Sequence, residues 1–263
     1  MNLNDLGALP ELLLSRLDVG WTFVLLLARH ISFLSVVPGI GGGFGGIAVR
    51  YPAAAVLTFA ATATTSPVPV PPHMLAMGTQ LLSEVLLGAV VGLVPILIVT
   101  GAQTAGHIAS GTMGLNGAQL VDPTTQSPMP DLARLYGDMA VLVFLLVGGH
   151  YVAIYHLSGL ESAVPPGSFL VSVSGLQALV NQSADIFQVG CMIAAPVIVA
   201  LLLTNFVMAV ISKAVPTVNI FIVSFPLTIA VGLVISILAL PEVVHYLGRK
   251  FADIEQLIGL VIT

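Results

Sequence analysis

The chain has 263 residues, of which 57% are hydrophobic and 7% charged, with 7 Lys+Arg, 12 Asp+Glu and a net charge of −5. A soluble domain carries about a quarter charged residues, so there is too little polar surface here to wrap a water-soluble globule, and the solvent must be largely lipid or other protein. So few cations exclude an electrostatic nucleic-acid footprint, and the single cysteine, Cys191, excludes an internal disulfide and a thiolate metal cage.

The first residues, MNLNDLGALPELLLSRLDVG, place Asp5 and Glu11 where a secretory signal carries positive charge. No small-x-small cleavage pattern follows, so the first apolar segment is expected to be retained. That segment runs from about Val19 to Val37, is broken near its middle by Arg29-His30 and stops at Pro38. The second covers about Ala53 to Thr65, bounded upstream by Pro52 and ended by SPVPVPP at 66–72, whose proline alternation forces an extended connector. The third, about Met74 to Ala105, is longer than the ~30 Å hydrocarbon thickness requires. It carries Glu84 and, near its middle, Pro95, where a kink is expected.

Residues 106–131, GHIASGTMGLNGAQLVDPTTQSPMPD, read as a long loop, almost uncharged in its first half. Long loops without secondary structure are functional or disordered. Asp131 is placed to cap the fourth segment, about Leu132 to Tyr155, which contains GGH at 148–150. A connector at about 158–175 includes VPPGS. The fifth segment, about Ala184 to Ile211 with Pro196, turns through SKAVPTVN (212–219) into the sixth, about Ile220 to Leu240. In the tail, Val243, Leu247, Phe251, Ile254, Ile258 and Val261 recur at helical spacing opposite Arg249, Lys250, Asp253 and Glu255. That pattern predicts an amphipathic helix at an interface or against a partner. The reading is an all-α membrane protein of about six long apolar helices in hairpins. Arg50, Arg134 and Lys213 fall in alternate connectors, which the positive-inside rule places in the cytoplasm, with both termini outside.

Few residues carry chemistry. The run Gly41-Gly42-Gly43-Phe44-Gly45-Gly46 contains G-x-G-x-x-G, but lacks the flanking strand, helix and downstream acid of a dinucleotide site. It reads as a permissive hinge. Glu84 lies inside an apolar helix and begins E-x-x-x-G-x-x-x-G with Gly88 and Gly92. An intramembrane carboxylate is a proton relay or a buried packing anchor, and small residues four apart let helices approach closely. With no second ionisable residue in its segment, the anchor is the better reading, with Arg29 as the candidate partner. His107, His150 and His156 lack metal-ligand spacing, and no catalytic triad stands out, so no enzyme, metal or cofactor is expected. Cys191, in an apolar run, reads as a buried structural thiol.

Four segments in this order resemble the FliR/SctT family of type III export-gate subunits: RHISFLSVVPGIG (29–41), SEVLLGAVVGLV (83–94), AGHIASGTMGLNGAQLVDP (105–123) and KAVPTVNIFIVSFPLTIAVGL (213–233). The glycine run is heavier than that pattern, and Lys213 stands where arginine is expected. The resemblance implies one copy of this chain with five FliP and four FliQ subunits in a pore-bearing gate. That gate would sit in the bacterial inner membrane within the flagellar basal body, largely above the membrane plane. It would contact FlhB, work with FlhA and a soluble ATPase, and pass unfolded export substrates. A FliP-like portion, 1–183, would precede a FliQ-like hairpin and tail, 184–263. A family loop plugs the pore, and by position it corresponds to about Gly106–Pro123. Gly106, Gly111, Met113, Gly114, Leu115, Asn116 and Gly117 would form the plug, with the glycines keeping it slim and flexible and Met113 and Leu115 sealing it. Pro196, Lys213, Pro216, Asn219 and Pro226 would shape the hairpin. The rival readings are an immobile scaffold in the same assembly, or a secondary transporter or proton-coupled carrier built on Glu84, Arg29 and His150.

Overall fold

The structure, a computed structural model, describes residues 3–39, 44–115, 131–158, 164–214 and 220–262. Among them are eight helices and no strand: α1 (Leu3–Val36), α2 (Phe44–Thr62), α3 (Met74–Met113), α4 (Asp131–Leu146), α5 (Gly149–Leu157), α6 (Val173–Ala214), α7 (Ile220–Ala252) and α8 (Ile254–Ile262). The chain is an all-α membrane protein. Arg16–Val36, α3, α6 and Ile222–Ile262 are each long and apolar enough to cross a membrane, and α4 with α5 adds a fifth span if that broken pair is one.

Several boundaries differ from the sequence reading, for physical reasons. Helix α1 runs unbroken through Arg29 and His30, because both side chains are fully buried and hydrogen-bonded. Pro52 lies inside α2, where it withholds only the bond to the carbonyl four residues back. Helix α3 continues to Met113, so the loop expected from Gly106 begins later. Ala102, Ala105, Ala109 and Met113 form a buried stripe at helical spacing through the stretch read as loop. The fourth segment breaks at Gly148, whose φ of 79° ends one helix and starts the next. Helix α7 passes through Pro226 and Pro241 to Ala252, so the tail is its continuation followed by α8. The six apolar tail positions are all buried within the chain, which corrects the expectation that this face lies on a membrane surface or a partner. Cys191 is exposed rather than buried, because α6 is apolar on more faces than the chain itself covers.

Contacts cluster into two compact units, Met1–Ile96 with Gly148–Val180 and Asp253–Thr263, and Leu97–Val147 with Asn181–Ala252. Neither follows the expected division at 183/184. Within α3 the boundary comes just after Pro95.

In the first unit, α1 packs against α2 and against the first part of α3, around Leu25, Leu26, Phe33, Leu34, Leu87 and Val94. The proline-rich connector is pinned by α1: the Val68 N–H donates to Thr22 Oγ1 and the Val70 N–H to Asp18 Oδ1, at 2.8 and 2.9 Å. Helix α5 packs on α8. In the second unit, α4 packs on α7, with the Phe144 and Phe251 rings 5.3 Å apart. The last part of α3 meets α6 through reciprocal small residues. A Cβ on Gly101 would lie 2.9 Å from Val189, and one on Gly190 would lie 2.9 Å from Thr104. At Gly106 the approach is closer still, since a Cβ there would fall 2.4 Å from the Cα of Ala133 on α4.

Backbone at that distance cannot yield as a side-chain tip does. Gly106→Val is therefore expected to cost at least about 1–3 kcal/mol, while Gly20→Ala, with nothing within 4 Å, leaves stability unchanged or raised. Thermal unfolding of the detergent-solubilised full chain, followed by circular dichroism, checks both.

Candidate functional site

The strongest polar constellation lies in the first unit and starts from helix spacing. Glu84, Gly88 and Gly92 sit four apart on α3, so they share one face. That face lies directly on α1: a Cβ on Gly88 would fall 2.2 Å from the Arg29 carbonyl oxygen, and one on Gly92 would lie 2.9 Å from Val36 Cβ. The missing side chains bring the two backbones close enough for Arg29 to reach Glu84. Arg29 Nε donates to Glu84 Oε2 at 2.5 Å and Nη2 donates to Oε1 at 3.1 Å, a two-pronged pair with both side chains fully buried.

Two further elements close the pair. Arg29 Nη1 donates at 3.2 Å to the carbonyl of Leu157, the last residue of α5. A helix ends with carbonyls that have no partner inside it, and its C-terminus favours a cation. Residues Pro165-Pro166-Gly167-Ser168 form a β-turn: the Ser168 N–H donates to the Pro165 carbonyl at 3.3 Å, with Gly167 at φ 77°. Proline followed by a glycine of positive φ is the signature of a type II turn. The turn aims the Gly167 N–H at Glu84 Oε1, 2.5 Å away, and Arg29 Nη2 also reaches the Val164 carbonyl at 3.5 Å. Beside this cluster, His30 Nδ1 donates to the Leu26 carbonyl at 2.8 Å and lies 3.2 Å from Thr58 Oγ1.

Both Glu84 oxygens are engaged and neither side chain touches water. A relay carboxylate must exchange its proton with a neighbour or a water; this one is committed to a guanidinium and a backbone amide. The arrangement is a tie between α1, α3, α5 and the Pro-Pro-Gly turn. The sequence reading reached Arg29, Glu84 and Gly88 but missed Gly167 and the Leu157 carbonyl. The signal for Gly167 was present in VPPGS, which specifies the turn without saying what its amide faces.

The second candidate is the end of α3, in the second unit. The Gly114 N–H donates to the Gly111 carbonyl at 3.1 Å and the Leu115 N–H to the Ser110 carbonyl at 3.0 Å, with Gly114 at φ 82°. That pair of bonds closes the helix in a Schellman motif. Met113 is buried against α7, where a Cβ on Gly232 would fall 2.6 Å from its Cε and where Thr228 Oγ1 donates to its carbonyl at 3.3 Å. The plug expectation is corrected accordingly. Gly106, Gly111 and Met113 are helical and packed rather than parts of a slim loop, and Gly114 and Leu115 form the cap. Asn116 and Gly117 lie outside the described residues.

Of the hairpin residues, Pro196 lies within α6 and Pro226 within α7, and neither ends its helix. Lys213 is in the last turn of α6, where a cation suits the helix dipole. Pro216 and Asn219 lie outside the described residues. The His150 ring packs on Tyr151 at 3.9 Å between centroids, and His156 Nδ1 bonds the Val152 carbonyl at 2.9 Å.

Comparison with known proteins follows this geometry closely in extent. Residues 21–254 match the family described as bacterial export proteins, family 1. The chain is 28% identical to the flagellar biosynthetic protein FliR of Escherichia coli (strain K12), over 90% of this chain and 91% of that protein. It is 30% identical to the FliR of Aquifex aeolicus (strain VF5), over 88% and 90%. Yop proteins translocation protein T of Yersinia pestis is 24% identical, over 92% and 94%.

Removing one member of a buried pair strands the other charge, at about 3–5 kcal/mol, whereas replacing both with apolar groups costs far less. Glu84→Gln and Arg29→Met are each expected to destabilise the full chain by that order, and the double variant Arg29→Met/Glu84→Leu by less than either. Chemical denaturation in detergent reads the cycle. A Glu84→Gln protein of full stability would remove the tie.

Proposed function

The chain belongs to family 1 of the bacterial export proteins, and from that footing we propose that it is the FliR-type subunit of a flagellar protein-export gate. A part in type III export, as a component of the apparatus and not as an enzyme, follows from the family itself. The finer reading is that a single copy joins FliP and FliQ subunits in the wall of an export channel. In that reading the gate lies in the bacterial inner membrane within the flagellar basal body, contacts FlhB and FlhA, and passes unfolded substrates. The FliP-like portion, 1–183, and the FliQ-like hairpin, 184–263, are its two ancestral parts.

The observation that carries an assembly over a free-standing carrier is the bareness of the last two long helices. Within the chain itself only 33% of the apolar window of α6 and 17% of that of Ile222–Ile262 is buried. Phe206 and Leu238 are exposed at 67% and 69%. Surface of this kind needs lipid or neighbouring subunits along most of its length. The committed state of Glu84 also speaks against the proton-coupled carrier, whose coupling residue must titrate.

The plug belongs to the same proposal, moved along the chain. Residues up to Leu115 form the helix end and its cap, so the segment that closes the lumen is the one that follows, to about Pro123.

Two outcomes test these readings. Expression in a flagellated bacterium lacking its own FliR is expected to restore swimming and release of filament subunit. A chain that reaches the membrane, fails at both, and does not co-purify with FliP and FliQ refutes the assignment. Deleting 116–120, which leaves the Schellman motif intact, is expected to raise ion leak severalfold through a co-expressed gate. Unchanged conductance removes the plug role while leaving the subunit assignment in place.

A further inference from the structure

The far end of α7 carries a groove that its own unit leaves unfilled. Val143 and Leu146 of α4 and Val244 of α7 form its apolar walls around about 390 Å³, a volume within the range of small-ligand sites and too small for a second helix, which is ~10 Å across. Gly248 lies in the lining, with Arg249 and His245 at the margin.

Two features show that the space is shaped for something. Glycine inside a helix is destabilising relative to alanine, and in this unit Gly101, Gly106, Gly137, Gly190 and Gly232 each face an atom that a Cβ would strike. Gly248 faces none within 4 Å, so no part of this chain accounts for the absent side chain. The second feature is charge. Lys250 lies 3.8 Å from Asp185, while its neighbour Arg249 has no carboxylate within salt-bridge distance among the described residues. Arginine offers a planar fork of donors that matches a phosphate's oxygens.

Position along the helix selects among anions. The continuous apolar run of α7 ends near Leu240, and at 1.5 Å per residue Arg249 lies about 13 Å beyond that point. That is the depth at which a cation meets headgroups, with the apolar walls toward the hydrocarbon side.

We infer that this groove binds one anionic phospholipid, its acyl chain lying over Gly248 between Val143, Leu146 and Val244 and its phosphate on Arg249, with His245 beside it. A partner protein would have to present both an acidic group and a thin apolar tail; a phospholipid does so by its chemistry.

Native mass spectrometry of the full chain in mild detergent, titrated with phosphatidylglycerol or phosphatidylcholine, tests the site. One phosphatidylglycerol is expected to stay bound at concentrations where phosphatidylcholine does not. Gly248→Leu, which fills the groove, should lower the phosphatidylglycerol-bound fraction about tenfold, and Gly248→Ala should do so only slightly. Arg249→Gln should remove the preference between the two lipids without moving the thermal midpoint. The site is refuted if the native chain shows no preference, if Gly248→Leu binds as before, or if Arg249→Gln keeps the preference. Loss of co-purifying export subunits from Gly248→Leu with lipid binding intact would assign the groove to a protein instead.

Discussion

The first unit depends on a buried arginine that could not be there alone. Arg29 and Glu84 have no water to solvate them, and an uncompensated charge in an apolar interior costs several kcal/mol even after relaxation. The pair is tolerable only because the remaining donors and acceptors are also met, by the open carbonyl at the end of α5 and by the amide of the Pro-Pro-Gly turn. The stability of four separate stretches is thereby made mutual. None holds its geometry without the others, and each supplies what another lacks. Net attraction of such a pair against a well-packed apolar alternative is small; its value is specificity, because only one alignment of α1 on α3 satisfies it.

Close approach is the other half of the same constraint. Apolar side chains gain little by leaving lipid for each other, so helices in such surroundings are held by tight packing and by interhelical hydrogen bonds. Gly88 and Gly92 on α3 let α1 in; Gly101, Gly106 and Gly190 do the same for α3 with α6 and α4. The second unit uses a bulkier device at Gly232, where the methionine of another helix occupies the space of the missing side chain. A soluble protein of this size would rest on a large apolar core, whereas this one rests on many short-range fits.

That difference explains which parts were legible in the sequence. The long apolar helices, the pairing of Arg29 with Glu84 and the inward face of the tail were all readable, because hydropathy, isolated charge and helical period survive a change of solvent. The glycines were misread where solution rules were applied to them. Between 106 and 113 small residues suggested a loop, yet in a chain of this composition they mark contact surface, and the buried stripe from Ala102 to Met113 runs straight through. Prolines misled in the same direction at Pro52 and Pro241, each of which costs one helical bond that neighbouring packing outweighs. Cys191 was placed inside because its neighbours are apolar, although an apolar neighbourhood here says little about burial. Which backbone groups would meet Arg29 and Glu84 was beyond reach, since pairing across 83 or 128 positions leaves no periodic trace.

The order in which these partners leave the ribosome gives the Pro-Pro-Gly turn a role in time as well as in space. Arg29 is made first and Glu84 follows 55 positions later, but the carbonyl at Leu157 and the amide at Gly167 come only after α4 and α5. Until then, the nascent chain holds an ion pair whose outer valences are open. It is therefore most vulnerable to misinsertion and to membrane proteases during the interval when roughly a third of the protein is still unmade. Synthesis of a two-proline turn, a slow and stiff piece of chain, ends that interval and converts a provisional pairing into a finished one.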